Sequence, residues 1–104
     1  MPFGVVYGSM RAGANMIIQD AAYTVAQHGI VVNVMGTNFM NYSGFKDSVG
    51  ADTPEKFKKV TDMIPLGRLG EPKEAANLAA ALFDGKSMYT TGQNFSVSGG
   101  WAGK

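Results

Sequence analysis

Residues 29–36 have the sequence Gly-Ile-Val-Val-Asn-Val-Met-Gly, a short, mostly β-branched run between two glycines. A nearly continuous apolar run of this length is typical of a strand that is covered on both faces, as in a parallel sheet. The segment therefore predicts a buried strand over residues 30–35, with Gly36 at its end.

The flanking sequence predicts helices and one further strand. From Gly8 to His28 the apolar residues lie three to five positions apart, and Gly29 follows, which predicts a helix with a glycine stop. The predicted apolar face of this helix is Ala12, Met16, Ala21 and Val25. Downstream, we expect a loop over 37–52, helices over 53–63 and 71–84, and an alternating strand over 94–98.

This order of elements predicts an α/β fold with too few strands for a complete domain. Parallel sheets need both faces covered and more than two strands, so the chain is interpreted as the C-terminal part of a doubly wound parallel sheet. We expect residues 1–104 to form a single partial domain.

Composition excludes several classes of function. The 104 residues carry a formal net charge of +1, no cysteine and one histidine, His28. The charge balance argues against nucleic acid as a partner, and the residue types argue against a metal site. No apolar run reaches a membrane span, and the N-terminus lacks a secretion signal, so we expect no membrane contact and a cytoplasmic location.

Tyr7 and Arg11 are candidate catalytic residues because of their spacing. Residues four apart are neighbours on one helical face. A permanent cation close to a phenol can lower its pKa by roughly one to three units from about 10, which would make Tyr7 a usable base. A simple surface contact between the two side chains is the alternative.

The motifs together resemble those of short-chain dehydrogenases/reductases. Tyr7-Gly8-Ser9-Met10-Arg11 is similar to the Tyr-x-x-x-Lys segment of that superfamily, and residues 65–74 (Pro-Leu-Gly-Arg-Leu-Gly-Glu-Pro-Lys-Glu) to its Pro-x-Gly-Arg-x-Gly-x-Pro-x-Glu segment. Thr91-Gly92-Gln93 and Ser98-Gly99-Gly100 resemble its ending. The resemblance implies the C-terminal half of a Rossmann-like fold.

Arginine in place of lysine resembles the signature of halohydrin dehalogenases within that superfamily. In these relatives a Gly-Pro-Asn-aromatic loop follows the strand, and Gly36-Thr37-Asn38-Phe39-Met40 stands in the matching place, with Thr37 instead of proline. The resemblance implies that Thr37, Asn38, Phe39 and Met40 bind substrate and a halide ion.

The reaction implied by this resemblance uses no cofactor. Tyr7 would take the hydroxyl proton of a small vicinal halo-alcohol, and the alkoxide would then displace the halide and close an epoxide, with small anions driving the reverse reaction. The enzyme would thus be a carbon-halide lyase. The family's catalytic serine lies about a dozen residues before the tyrosine, whereas six residues precede Tyr7 here. We therefore expect little activity from this chain alone.

Two other functions stay open at this point. One is an NAD(P)-dependent oxidoreductase of the same superfamily in which Arg11 is a tolerated variant. The other is a non-catalytic remnant that serves as an oligomerisation surface, since small residues crowd the first helix. By resemblance we expect a homo-oligomer, either a dimer or a tetramer. Trp101 would lie at a subunit interface or at the substrate mouth, and Arg68 would pair with carbonyls or an acid near a helix start.

Overall fold

A computed structural model describes the backbone of residues 4–48 and 50–101, and side chains of residues 9–45, 47 and 50–101. Its elements follow in the order α1 (Gly4–Val25), a 3-10 turn (Ala26–His28), β1 (Val34–Thr37), α2 (Phe45–Ser48), α3 (Pro54–Asp62), α4 (Pro72–Phe83) and β2 (Asn94–Val97). The chain forms two compact units. The first unit combines the chain up to Met35 with Gly85–Phe95, and the second combines Gly36–Asp84 with the chain from Ser96 onward.

Helix α1 is the main element of the first unit. Its least exposed side chains are Asn15, Ile18, Ala22 and Val25, which are three or four positions apart and so share one face. Ala22 is fully buried at 1% exposure, and a Cβ added to Gly92 would lie 3.7 Å from the Ala22 Cβ. This face therefore packs against the turn that precedes β2.

The predicted apolar face of α1 is wrong at three of its four positions. Ala12, Met16 and Ala21 are exposed, and Val25 is half-buried. Alanine and methionine occur all round this helix, so apolar residues alone do not identify the packed side. The side of α1 that contacts the turn at Gly92 carries a different set of residues.

The C-terminal end of α1 confirms the predicted glycine stop. The helix tightens into the 3-10 turn, and Gly29 adopts a left-handed conformation with φ 72°, its N–H donating to the carbonyl of Ala26 at 3.0 Å. Glycine takes this conformation without the steric cost of a Cβ. The helix begins four residues earlier than predicted.

Strands β1 and β2 form a two-stranded parallel sheet, and both strands run from the first unit into the second. The Val34 N–H donates to the Gln93 carbonyl at 2.8 Å, and the Asn38 N–H donates to the Val97 carbonyl at 3.1 Å. Both pairs are offset by the same number of residues, so the strands run in the same direction. The predicted parallel arrangement is confirmed.

Strand β1 begins at Val34, later than the predicted residue 30. Before Val34, backbone groups bond to side chains: the Val32 N–H donates to the Thr91 hydroxyl at 3.0 Å, and the Gln93 N–H donates to Asn33 Oδ1 at 3.1 Å. Asn33 Nδ2 also donates to the Thr90 carbonyl at 3.0 Å. The Gly92 N–H also donates to the Val32 carbonyl at 2.7 Å, so side-chain bonds interrupt the ladder here without replacing all of it. The predicted burial on both faces is not seen in this segment, where residues 31–36 are half-buried and Ile30 is exposed.

The second unit has its own apolar core. Phe45, Ile64 and Leu69 are buried, and Phe39, Phe57 and Val60 pack against them. Phe45 lies in α2, which is a helix inside the segment predicted to be a loop. Burial of Phe45 in the core orders this segment. The neighbouring residues in the sequence did not indicate a helix here.

Helices α3 and α4 confirm their predicted starts and lengths. Thr53 Oγ1 accepts the N–H of Lys56 at 3.2 Å, and Pro54 occupies the first turn. Glu71 and Glu74 form a reciprocal capping box at the start of α4. Within residues 4–48 and 50–101, no helix is both long and apolar enough to cross a membrane.

Candidate functional site at the carboxyl ends of the strands

A small cavity lies in the second unit, where β1 and β2 end. In open α/β sheets, ligands bind outside the carboxyl ends of the strands. The cavity has a volume of about 70 Å³. Its lining comes from three segments: Asn38, Phe39 and Met40 after β1; Ile64, Leu66, Arg68, Gly70 and Glu74 between α3 and the first turn of α4; and Val97, Ser98 and Gly99 at the end of β2.

Three of the four predicted binding residues lie together at this cavity. Asn38, Phe39 and Met40 line it, whereas Thr37 is exposed and does not. Asn38 and Phe39 are half-buried, and Met40 is buried at 8% exposure. The structure thus brings the predicted residues together, while their binding role stays a prediction.

Phe39 has an unusual backbone conformation. Its φ is 55°, and within the described part of the chain it is the one residue other than glycine with a positive φ. The Phe39 carbonyl accepts the Gly70 N–H at 3.0 Å, and the Asn41 N–H donates to the Gly70 carbonyl at 2.7 Å. This pairing holds Phe39 in the left-handed conformation, which is unfavourable for any residue that has a Cβ atom. Such conformations occur preferentially at functional positions.

The aromatic ring of Phe39 lies between two others. It meets Trp101 edge-to-face with centroids 5.0 Å apart and Phe45 at 6.5 Å, also edge-to-face. Tyr42 also meets Phe45 edge-to-face, with ring centroids 5.6 Å apart. Offset and edge-to-face pairs of this kind stabilise aromatic clusters beyond their buried area. Trp101, with 38% exposure, therefore borders the candidate site through Phe39.

An ion pair between Arg68 and Glu74 anchors the segment that pairs with the loop after β1. Arg68 Nη2 lies 2.8 Å from Glu74 Oε1 and Arg68 Nη1 lies 3.0 Å from Glu74 Oε2, a bidentate pair, and Arg68 also donates to the Leu69 carbonyl. The hydrogen bond from Arg68, with the Glu71 N–H bond next, lowers the pKa of Glu74 to about 2. The predicted role of Arg68 is confirmed. The anchored segment carries Gly70, which pairs with the loop after β1.

Glycines at 99 and 100 permit a close approach that the sequence motif alone did not explain. A Cβ on Gly99 would lie 2.7 Å from Ile64 Cγ2, and one on Gly100 would lie 3.0 Å from Pro65 Cβ. Both residues also have positive φ values, 61° and 94°. The end of β2 therefore lies directly on the Ile64–Pro65 segment. Two adjacent glycines after a strand were the signal that could have identified this contact.

The other predicted site residues lie in the first unit. Tyr7 and Arg11 both fall within α1, so the helical spacing on which their pairing depends is confirmed. The Tyr7 side chain lies outside the described residues, and the Arg11 side chain is exposed. Their catalytic role stays a prediction. Among the described residues, no three His, Asp or Glu side chains are grouped so that they could hold a metal ion.

Comparison with known proteins defines the family. A family model described as enoyl-(acyl carrier protein) reductase matches residues 1–102, and the chain belongs to this family of short-chain dehydrogenases/reductases. The chain is 39% identical over 95 residues to (3R)-3-hydroxyacyl-CoA dehydrogenase from Mus musculus, covering 90% of this chain and 35% of the relative.

Two further similarities agree with this family. The chain is 34% identical over 94 residues to 3-oxoacyl-[acyl-carrier-protein] reductase FabG from Rickettsia bellii, covering 90% of this chain and 37% of that protein. The structure of YwfH, an NADPH-dependent reductase involved in bacilysin biosynthesis, matches with a TM-score of 0.80 and 29% identity, covering 89% of this chain and 38% of that one. The chain thus spans little more than a third of the length of these proteins, and the incomplete Rossmann-like fold is confirmed.

These comparisons correct three predictions. The halohydrin dehalogenase function, the lyase class and the absence of a cofactor are wrong, because the similar proteins are dehydrogenases and reductases, one of them NADPH-dependent. The error has a physical cause. Arginine and lysine can both place a positive charge four residues after the tyrosine, so this single substitution does not separate the two chemistries. The halide ion was expected only as part of the dehalogenase reaction.

Proposed function

We propose that the protein is an NAD(P)H-dependent oxidoreductase that interconverts a 3-oxo and a 3-hydroxy group on an acyl thioester. The observation that carries this proposal is the family match over residues 1–102. The substrate class follows from the named activities of the mouse and Rickettsia relatives, which share a 3-oxygenated acyl chain on a thioester.

We propose that one end of a nicotinamide dinucleotide binds beside the carboxyl end of β1. Asn38 lies just after the carboxyl end of β1, and its amide belongs to the polar groups that line the cavity, with those of Ser98, Arg68 and Glu74. A Gly-x-Gly-x-x-Gly turn of the kind that holds a pyrophosphate does not occur in the sequence. Asn38 would contact the nicotinamide half, which supplies a hydride when bound.

Tyr7 and Arg11 are the proposed catalytic pair. The Tyr7 phenol would donate a proton to the carbonyl oxygen during reduction and take it back during oxidation. Arg11, one helical turn further along α1, would stabilise the phenolate left on Tyr7. A cation that keeps its proton is suited to this task.

The proposal is tested by following NADPH consumption at 340 nm with the full-length protein and an acetoacetyl thioester. We expect Tyr7→Phe to lower kcat by about 100-fold, the usual size of a lost general acid. Tyr23→Phe is the matched control, because Tyr23 lies on the same helix with its side chain 87% exposed. Equal rates in the two variants would contradict the assignment of Tyr7.

A second variant tests Arg11. Arg11→Lys restores the Tyr-x-x-x-Lys spacing of the superfamily and keeps the charge, so we expect it to retain activity, whereas Arg11→Gln should lower kcat by about tenfold or more. No NADPH consumption in the unchanged protein with any 3-oxoacyl thioester would overturn the proposed function itself.

We also propose a homo-oligomer that uses helix α1. Outside its packed face, this helix exposes Met10, Met16 and Ile17 at 71%, 55% and 68%. Exposed apolar side chains along one helix are typical of an association surface. Ile17→Glu should lower the mass measured by sedimentation equilibrium, and an unchanged mass would contradict a role for this face.

A further inference from the structure

Two polar side chains hold the turn that packs against helix α1. We infer that Asn33 and Thr91 are positioning residues for the helix that carries the proposed catalytic pair, an inference that rests on the proposed oxidoreductase function. That pair is Tyr7 and Arg11, and every contact involved lies within the first unit.

The turn that precedes β2 is held by side chains as well as by backbone bonds. Asn33 Nδ2 donates to the Thr90 carbonyl at 3.0 Å, and Asn33 Oδ1 accepts the Gln93 N–H at 3.1 Å. The Thr91 hydroxyl accepts the Val32 N–H at 3.0 Å and donates to the Val32 carbonyl at 3.5 Å. Asn33 and Thr91 together form a clamp, because their bonds join segments that are 57–60 residues apart in the sequence.

The clamped turn meets α1 at its most buried side chain. Among residues 9–25 of the helix, Ala22 is the one residue that is buried, at 1% exposure. A Cβ added to Gly92 would lie 3.7 Å from the Ala22 Cβ, and the Gly92 N–H donates to the Val32 carbonyl at 2.7 Å. The clamp therefore acts on the position of α1 through the contact between Gly92 and Ala22.

The length of α1 amplifies a small error at this contact. Arg11 lies eleven residues before Ala22, which is about 16 Å along a helix that rises about 1.5 Å per residue. A tilt of about 4° at Ala22 moves Arg11 by about 1 Å, and a misplacement of about 1 Å can lower a rate by about 100-fold. Loss of the clamp should therefore lower the rate of the reaction.

Thr91→Val tests the clamp, because it removes the hydroxyl and keeps the shape of the side chain. In the NADPH assay with the full-length protein, we expect kcat to fall by about tenfold or more with KM nearly unchanged, because the pair acts in the transition state. Thr91→Ser keeps a hydroxyl and should restore most of kcat. Thr53→Val is the matched control and should leave kcat unchanged, since Thr53 Oγ1 accepts the Lys56 N–H at 3.2 Å in the second unit.

Asn33→Asp tests the other half of the clamp. The aspartate keeps an acceptor for the Gln93 N–H but loses the donor to the Thr90 carbonyl, so we expect a fall in kcat similar to that of Thr91→Val. Gln27→Glu is its control, because the Gln27 amide makes only a local, exposed bond to the Thr24 carbonyl at 3.1 Å. This control should leave kcat unchanged.

A distance measurement separates a tilted helix from a general loss of stability. The chain contains no cysteine, so spin labels on Ser9→Cys in α1 and Asn94→Cys in β2 report one distance within the first unit. Both labelled positions are exposed. We expect Thr91→Val to broaden or shift this distance and Thr53→Val to leave it as it is in the unchanged protein.

The outcomes separate the clamp from the proposed reaction. An unchanged kcat in both Thr91→Val and Asn33→Asp would overturn the inference, and so would an equal fall of kcat in Thr53→Val. If the unchanged protein consumes no NADPH, the oxidoreductase proposal fails by itself. The spin-label distance then decides whether the clamp fixes α1, since the same distance in Thr91→Val would overturn the clamp and a broadened one would support it.

Discussion

The two units of this protein differ in how their predicted functional residues are held. In the first unit, Ala22 is the one buried apolar side chain among the described residues, and Arg11 lies on the exposed part of α1. In the second unit, Met40 is buried, Phe39 packs on a core of Phe45, Ile64 and Leu69, and the backbone of the loop is paired with Gly70.

This difference shows that the second unit is stabilised within itself, whereas α1 leaves much apolar surface uncovered. Buried apolar area is the dominant stabilising contribution to a fold. Substitutions of the same chemical type should therefore have large effects in the second unit and small effects in α1. Three pairs of variants test this contrast, and a fourth prediction concerns one exposed ion pair of the second unit.

The largest difference is expected between two isoleucines. Ile64 is 3% exposed and belongs to the core of the second unit, so Ile64→Ala should lower the free energy of unfolding by about 2–5 kcal/mol. Ile17 is 68% exposed on α1, and Ile17→Ala should change it by less than about 0.5 kcal/mol. Urea denaturation at low protein concentration measures both. Similar losses would show that α1 is packed as tightly as the core.

The next contrast compares two glycines with positive φ. Gly99→Ala adds a Cβ 2.7 Å from Ile64 Cγ2, so strain and overpacking should together cost about 3 kcal/mol. Gly85 has φ 79° but no atom within 4 Å of an added Cβ, so Gly85→Ala should cost only about 1 kcal/mol. Equal urea midpoints for the two variants would mean that the end of β2 does not lie directly on Ile64.

Two threonines give a smaller contrast. Thr53 caps α3 through the Lys56 N–H, and Thr53→Ala should cost about 1 kcal/mol. Thr24 in α1 donates to the Asp20 carbonyl at 3.0 Å, a bond that adds little to a helix already bonded along its backbone. Thr24→Ala should therefore leave the thermal midpoint nearly unchanged, and a drop as large as that of Thr53→Ala would contradict this view.

The smallest effect concerns the exposed Arg68–Glu74 pair. The pKa of Glu74 is lowered from 4.5 to about 2 by the hydrogen bond from Arg68, so its contribution is present above pH 4.5 and is lost as the pH falls towards 2. The thermal midpoint of the unchanged protein should fall more between pH 5 and pH 2 than that of Glu74→Gln. Parallel curves for both proteins would show that the pair adds nothing measurable, as is common for exposed ion pairs.

Local signals in the sequence determined where helices begin and end, because the capping and stop residues lie at those ends. The stop at Gly29, the cap at Thr53 and the start of α4 depend on residues within a few positions, and all three are confirmed. The motif order also predicted the fold, and three of the four residues that it assigned to binding, Asn38, Phe39 and Met40, line one cavity. Arg11 misled the choice of reaction because arginine and lysine both carry a positive charge that can lower the pKa of a tyrosine.

Only the tertiary structure decided which side of α1 is packed, that Phe45 lies in a helix, and that Phe39 has a left-handed backbone between two aromatic rings. Each of these depends on a residue far away in the sequence: Gly92 for α1, the core around Ile64 for Phe45, and Gly70 with Trp101 for Phe39. Periodicity and spacing report on neighbours along the chain, whereas packing depends on which distant segments meet.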